Sequence, residues 1–252
     1  FNTLQPANEQ GLYPTPQFRI QRAGEMPSRK SFQQDMIILQ PKALLFDMDG
    51  TMVDNKQFHD AAWIQFNQEY APANFDSEHF MRTFYGKTNT QLMQQVFGHE
   101  LNPSEVAYYE DIKESLYRKL YKPHLQLVDG LKELLIDAKR KAIKCTVTTS
   151  APRSNVDFIL DETGIRQYFN LIVDASMVKE GKPSPQVYLK TQELLDLDAK
   201  DCYAFEDSRA GVKSAVDAGI PTIGICTDLR REILIELGVQ DTIYSFESIR
   251  LM

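Results

Sequence analysis

Four short segments of the chain combine acids, hydroxyls and a lysine where a backbone can turn. The first is Asp47-Met48-Asp49-Gly50-Thr51, directly after the apolar run Ala43-Leu44-Leu45-Phe46. Carboxylates two residues apart in an extended segment point to opposite faces. The Gly50 that follows permits a sharp turn, so Asp47 and Asp49 can converge on one site. Two such acids can divide labour, one as nucleophile and the other as general acid and then base. A solvated Asp-Gly turn is the plainer alternative. The second segment is Thr149-Ser150, after the apolar stretch Ile143 to Thr148. A hydroxyl and a backbone N–H leading into a helix can hold a phosphate oxygen, although a helix cap is the commoner meaning. The third, Gly181-Lys182-Pro183-Ser184-Pro185, fixes the backbone around one lysine and so holds a cation in place. The fourth, Phe205-Glu206-Asp207-Ser208-Arg209-Ala210-Gly211, puts adjacent acids at a strand end, hard-oxygen ligands suited to magnesium.

These segments need elements to carry them. Short continuous apolar runs recur at Ala43 to Phe46, Ile143 to Thr148, Leu171 to Val173, Cys202 to Phe205 and Thr222 to Ile225, as expected of strands buried on both faces. Between them lie helical patterns. Leu131, Leu134, Leu135 and Ala138 follow Asp129-Gly130; Val156, Ile159 and Leu160 precede Gly164; Val212, Ala215 and Val216 precede Gly219. Glycine just past a periodic stretch is a helix-stop signal. The alternation predicts an α/β fold, a Rossmann-like core with a mainly parallel sheet.

Residues 57–122 break the alternation and read as successive helices over 58–70, 77–84, 90–97 and 103–121. The last has a helix-start sequence at Asn102-Pro103-Ser104-Glu105. The core is therefore expected over 36–56 and 123–252, with a small α-helical cap inserted after the first strand. Such an insert covers the carboxyl ends of the strands, where open α/β sheets bind ligands. Residues 1–35 are polar, proline-containing and aperiodic, and read as an extension or an added segment without an assigned function.

The net charge of −7 leaves no basic surplus to displace phosphate counterions, which argues against nucleic-acid binding. A phosphate site would have to be a local basic pocket. No apolar run is long enough to span a bilayer. The three cysteines, Cys145, Cys202 and Cys226, lack metal-ligand spacing and read as small buried hydrophobes in a reducing compartment, which makes the cytoplasm the expected location. The expected assembly is a monomer or weak homodimer.

In this order, on these elements, the four motifs closely resemble those of the haloacid dehalogenase superfamily of phosphohydrolases, over Lys42 to Leu251. The cap resembles that of its beta-phosphoglucomutase-like and phosphoglycolate-phosphatase-like branch. The resemblance implies that Asp47 is the nucleophile that forms an aspartyl-phosphate and Asp49 the acid/base. It implies that Thr149 and the Ser150 backbone hold the phosphoryl group while Lys182 offsets its charge. It implies Mg2+ held by Asp47, the Asp49 carbonyl, Asp207 and Glu206, directly or through water. Gly50, His59, Gly86 and Lys87 are the further substrate-binding candidates, the last two in the loop Tyr85-Gly86-Lys87-Thr88-Asn89 that looks like the substrate-specificity loop. Asn89 stands where family mutases carry an arginine that grips a second phosphate, and Asn cannot make that bidentate contact. The retained Asp49 speaks against carbon–halogen and carbon–phosphorus cleavage. The implied activity is a Mg-dependent phosphatase for a small phosphorylated metabolite such as a sugar phosphate. A beta-phosphoglucomutase-type mutase is the alternative, and a non-catalytic phosphometabolite-binding module the third reading.

Overall fold

The computed structural model describes residues 36–83 and 89–252. Residues 1–35, and with them the expected extension, lie outside the described residues, as do Gly86 and Lys87. Strand β2 (Ala43–Phe46) is buried along its whole length. Its side chains alternate between two apolar clusters, Leu44 and Phe46 in one, Ala43 and Leu45 in the other. Burial on both faces is why this strand reads as an unbroken apolar run.

Around it lie β3 (Lys144–Thr148), β4 (Leu171–Val173), β5 (Cys202–Glu206), β6 (Thr222–Ile225) and β7 (Asp241–Ile243). They form one parallel sheet in the order β4-β3-β2-β5-β6-β7. The chain fills one side of β2 with β3 and β4, then crosses back to lay down β5, β6 and β7 on the other. The carboxyl ends of β2 and β5 thus flank the switch point, where an α/β sheet opens a crevice.

Helices α5 (Leu131–Arg140) and α6 (Arg153–Glu162) cover one face through Leu131, Leu135, Val156 and Ile159. Helices α7 (Gln186–Leu195) and α8 (Arg209–Asp217) cover the other through Val187, Tyr188 and Ala215. Helix α9 (Arg231–Glu236) adds Leu234 against Val212. The three cysteines are free and buried, as expected.

Three strands had no sequence expectation. One is β7; the others, β1 (Ile37–Leu39) and β8 (Ile249–Leu251), pair in parallel as a separate two-stranded sheet. Each has only three residues; Arg250 interrupts the apolar pattern of β8, while β1 is an apolar triplet whose middle residue, Ile38, faces solvent.

Between β2 and α5 run α1 (Lys56–Tyr70), α2 (Ser77–Thr83), α3 (Asn89–Phe97) and α4 (Pro103–Tyr121). They enclose their own apolar cluster, with Trp63, Phe66, Phe80, Leu92, Met93 and Val96 at its centre. The start of α4 is a capping box. The Asn102 side chain accepts from the Ser104 and Glu105 amides, while Glu105 accepts from the Asn102 amide. Among the described residues no helix is long and apolar enough to cross a membrane.

Because the Asn102 side chain satisfies two otherwise orphaned donors of α4, Asn102→Ala should cost about 1 kcal/mol of stability. Urea unfolding measures it, and an unchanged midpoint would show that the cap of α4 contributes nothing.

Candidate active site

Sheet register sets the site. Phe46 lies opposite Val147 on β3 and Phe205 on β5, so Asp47, Thr148 and Glu206 emerge side by side at the carboxyl end. Just past β2 the backbone turns at Gly50, whose φ of 79° suits glycine. A Cβ at this position would lie 2.0 Å from Asp207 Oδ2, so the glycine also lets the turn approach the acid that follows β5. Thr51 Oγ1 donates to Asp207 Oδ1 at 3.3 Å, tying the two segments together.

At the centre is Lys182. Its ammonium donates to Asp47 Oδ1 at 2.7 Å, to Glu206 Oε1 at 2.6 Å and to the Thr148 carbonyl at 3.1 Å. Tyr188 of α7 donates its hydroxyl to the same Glu206 Oε1 at 2.6 Å. Burial disfavours charge on Lys182, yet Asp47 and Glu206 outweigh it and push its pKa above the ordinary lysine value. For the acids burial wins. It raises Asp47 despite Lys182 and pushes Glu206 up to about 7. Asp207 rises well above the usual carboxylate range through burial and the charges of Asp47 and Glu206.

Ligand oxygens of Asp47, Glu206 and Asp207 lie within 4.8 Å of one another. Fully ionised, three carboxylates against one ammonium leave two negative charges uncompensated. Glu206 Oε2 is moreover buried without a hydrogen-bond partner. The donor set is all hard oxygen, so the residues present fit a divalent cation of the magnesium type.

Asp49 stands apart from this triad. Its Oδ1 accepts from Asn55 Nδ2 at 2.6 Å, and the same amide donates to Tyr117 OH of α4 at 2.6 Å. His59 of α1 stacks on the Tyr117 ring at 3.8 Å, with Nε2 3.8 Å from Asp49 Oδ1. Its Nδ1 accepts from Lys113 Nζ at 3.1 Å, which leaves the ring proton on Nε2. Lys113 is buried, lies over the Trp63 ring and donates to Glu114 at 2.8 Å. Glu114 also accepts from Asn155 of α6 and Asn89 of α3. Burial would raise Glu114, but the Lys113 ammonium, together with hydrogen bonds from Lys113 and Asn155, holds it down to about 2.

A cleft of about 570 Å³ joins these groups. Asp47, Asp49, Gly50, Thr149, Ser150, Lys182 and Asp207 line its floor; His59, Asn89, Glu110 and Lys113 line the helical side. Of the residues singled out from sequence, Asp47, Lys182, Glu206 and Asp207 meet at one point. Thr149 is buried, its hydroxyl accepting from the Ala151 amide at 3.1 Å. Ser150 is exposed, and its hydroxyl accepts from the Lys182 amide at 3.4 Å. Sequence reasoning missed Tyr188, Asn55, Tyr117, Lys113, Glu114 and Asn155. One signal was available: Lys113 and Glu114 fall in the stripe of α4 that also buries Val106, Tyr117 and Tyr121. Charges there demand partners.

A parallel Rossmann-like sheet with a charged centre at its switch point defines the class, an α/β enzyme. Comparison with known proteins narrows it: the chain belongs to the haloacid dehalogenase-like hydrolase family, whose profile matches residues 44–225. Protein CbbY of Rhodobacter capsulatus is 31% identical over 72% of this chain and 84% of its own length. Validoxylamine A 7'-phosphate phosphatase of Streptomyces hygroscopicus subsp. limoneus is 29% identical over 79% of this chain and 92% of its own. Among solved structures, a family IA haloacid dehalogenase hydrolase, variant 3, of Entamoeba histolytica superposes with a TM-score of 0.75 at 27% identity. That match covers 84% of this chain and 96% of the other.

The raised acids make a linkage prediction. Without a divalent ion the folded state holds protons that the unfolded chain releases, so stability falls as pH rises through about 7. Saturating Mg2+ should reverse the trend, adding about 2.7 kcal/mol at a hundredfold excess over Kd. Asp207→Asn should raise the Mg-free melting temperature and remove the Mg2+ response. Thermal melts across pH with and without Mg2+ measure both, and a profile indifferent to pH and to Mg2+ would contradict this account.

Proposed function

We propose that this enzyme is a magnesium-dependent phosphatase that hydrolyses a small phosphomonoester, a sugar phosphate, through a phosphorylated Asp47. The observation that carries the reading is Lys182 bridging Asp47 and Glu206 beside Asp207, on the floor of a cleft that also contains Asp49. The names of relatives, a phosphate-ester phosphatase among them, support it.

In this reading the Asp47 carboxylate attacks phosphorus while the bond to the leaving oxygen breaks. Asp49, protonated, gives its proton to that oxygen. A water then attacks the phosphoryl group on Asp47; Asp49 takes the water proton, and the Asp47–phosphorus bond breaks to release phosphate. Lys182 balances the charge of Asp47 and of the phosphoryl oxygens. Thr149 and the Ser150 backbone hold the phosphoryl group, and Gly50 leaves room for it. Magnesium, held by Asp47, Glu206, Asp207 and the Asp49 carbonyl, would neutralise the crowded anions and align them.

Asn55 is suited to keep Asp49 oriented from the helical side, and His59 to meet the leaving group through its Nε2 proton. The Asn89 amide bonds Glu110 at 2.9 Å and Glu114 at 3.0 Å, so it is committed to carboxylates. That commitment supports hydrolysis over a mutase cycle, which must retain a bisphosphate.

Phosphate release from a panel of sugar phosphates with Mg2+ is the test. Asp47→Asn should bring turnover below detection. Asp49→Asn should slow it roughly 10²- to 10⁴-fold with little change in KM. Isomerisation of a hexose phosphate primed by a sugar bisphosphate, without net phosphate release, would instead establish the mutase. Phosphate release unaltered in Asp47→Asn would remove the nucleophile assignment.

A further inference from the structure

We propose that Tyr188 is a positioning residue of the charged centre: its hydroxyl clamps Glu206 Oε1 so that the carboxylate's other oxygen is kept for a divalent cation. The inference rests on the magnesium-dependent reading above and extends it to a residue outside the four motifs.

Glu206 Oε1 receives two short hydrogen bonds, from Lys182 Nζ and from Tyr188 OH, both at 2.6 Å. All three side chains are deeply buried. The tyrosine ring faces the same ammonium, with Lys182 Nζ 5.2 Å from the ring centroid. Tyr188 therefore meets both members of the Lys182–Glu206 pair, one through its hydroxyl and one through its ring face.

With Oε1 doubly engaged, the carboxylate cannot rotate without breaking a buried hydrogen bond. Its second oxygen, Oε2, is buried and has no partner among the described residues. Gly211 in the first turn of α8 makes the space for it: a Cβ there would lie 1.8 Å from Oε2. A polar oxygen held buried and unpartnered, on a carboxylate clustered with those of Asp47 and Asp207, is costly unless a cation takes it. Tyr188 thus fixes which oxygen is engaged by the protein and which is left without a partner. Groups that hold a ligand in this way set metal affinity nearly as strongly as the ligands themselves.

Tyr188→Phe removes one O–H and keeps the ring over Lys182. The expected result is a rise of about tenfold in the Mg2+ concentration that half-saturates the protein. It is read both from turnover and from the Mg2+-dependent increase in melting temperature, with KM for the phosphomonoester nearly unchanged. In a Glu206→Gln background the same substitution should add no further change, because Tyr188 acts through Glu206. A Tyr188→Phe protein that melts lower but binds Mg2+ as the wild type does would overturn the proposal. So would an equal loss of Mg2+ affinity in the Glu206→Gln background. The melting readout needs no substrate, so failure of the phosphatase reading would show separately, as Mg2+ binding without phosphate release.

Discussion

One buried ammonium, that of Lys182, is surrounded by more negative charge than it can balance. Asp47 and Glu206 accept from it directly, and Asp207 lies close by without reaching it. Burial amplifies both the attraction and the repulsion, because little water remains to screen either. The result is a centre stable enough to fold yet short of positive charge. A site that lacks two positive charges is prepared for a divalent ion, and with it for an anionic ligand held near the same spot. Other features of the molecule can be read as ways of keeping this imbalance in place.

The sheet does so by topology. Laying β3 and β4 on one side of β2 and β5 to β7 on the other brings the ends of β2, β3 and β5 together. Acids from segments far apart in the chain then meet without strain in the strands themselves. The helical region does so by a second, fully paired set of charges. Lys113 and Glu114 neutralise each other, and Asn155 and Asn89 fill the remaining sites on Glu114. One network is satisfied and rigid, the other unsatisfied and receptive. His59 and Asn55 stand between them, beside Asp49.

How much of this was legible follows from range. The strands buried on both faces announce themselves as apolar runs, and α4 announces its start at Asn102 because capping is local. Asp47, Asp49, Lys182, Glu206 and Asp207 were visible because each sits at a strand end or beside prolines. Tyr188 was not, since a tyrosine in a helix that buries Val187 and Leu195 looks like core packing, and it is core packing as well. Asn55 and Tyr117 escaped for the same reason: their meaning lies in a partner sixty-two positions away. Strands β7 and β8 were hidden because polar residues interrupt their three positions, unlike the equally short but wholly apolar β4, and β1 because it adjoins the aperiodic first segment.

The chain has one tryptophan, Trp63, and its indole sits at the wall of the cleft with the Lys113 ammonium 5.2 Å from the ring. Selectively excited indole emission therefore comes from a single known place. A positive charge on the ring face shifts that emission, and this charge is held by Glu114, which is in turn held by Asn155 on the sheet side. The molecule thus carries an intrinsic optical probe of whether its helical region and its sheet are engaged, with no label added.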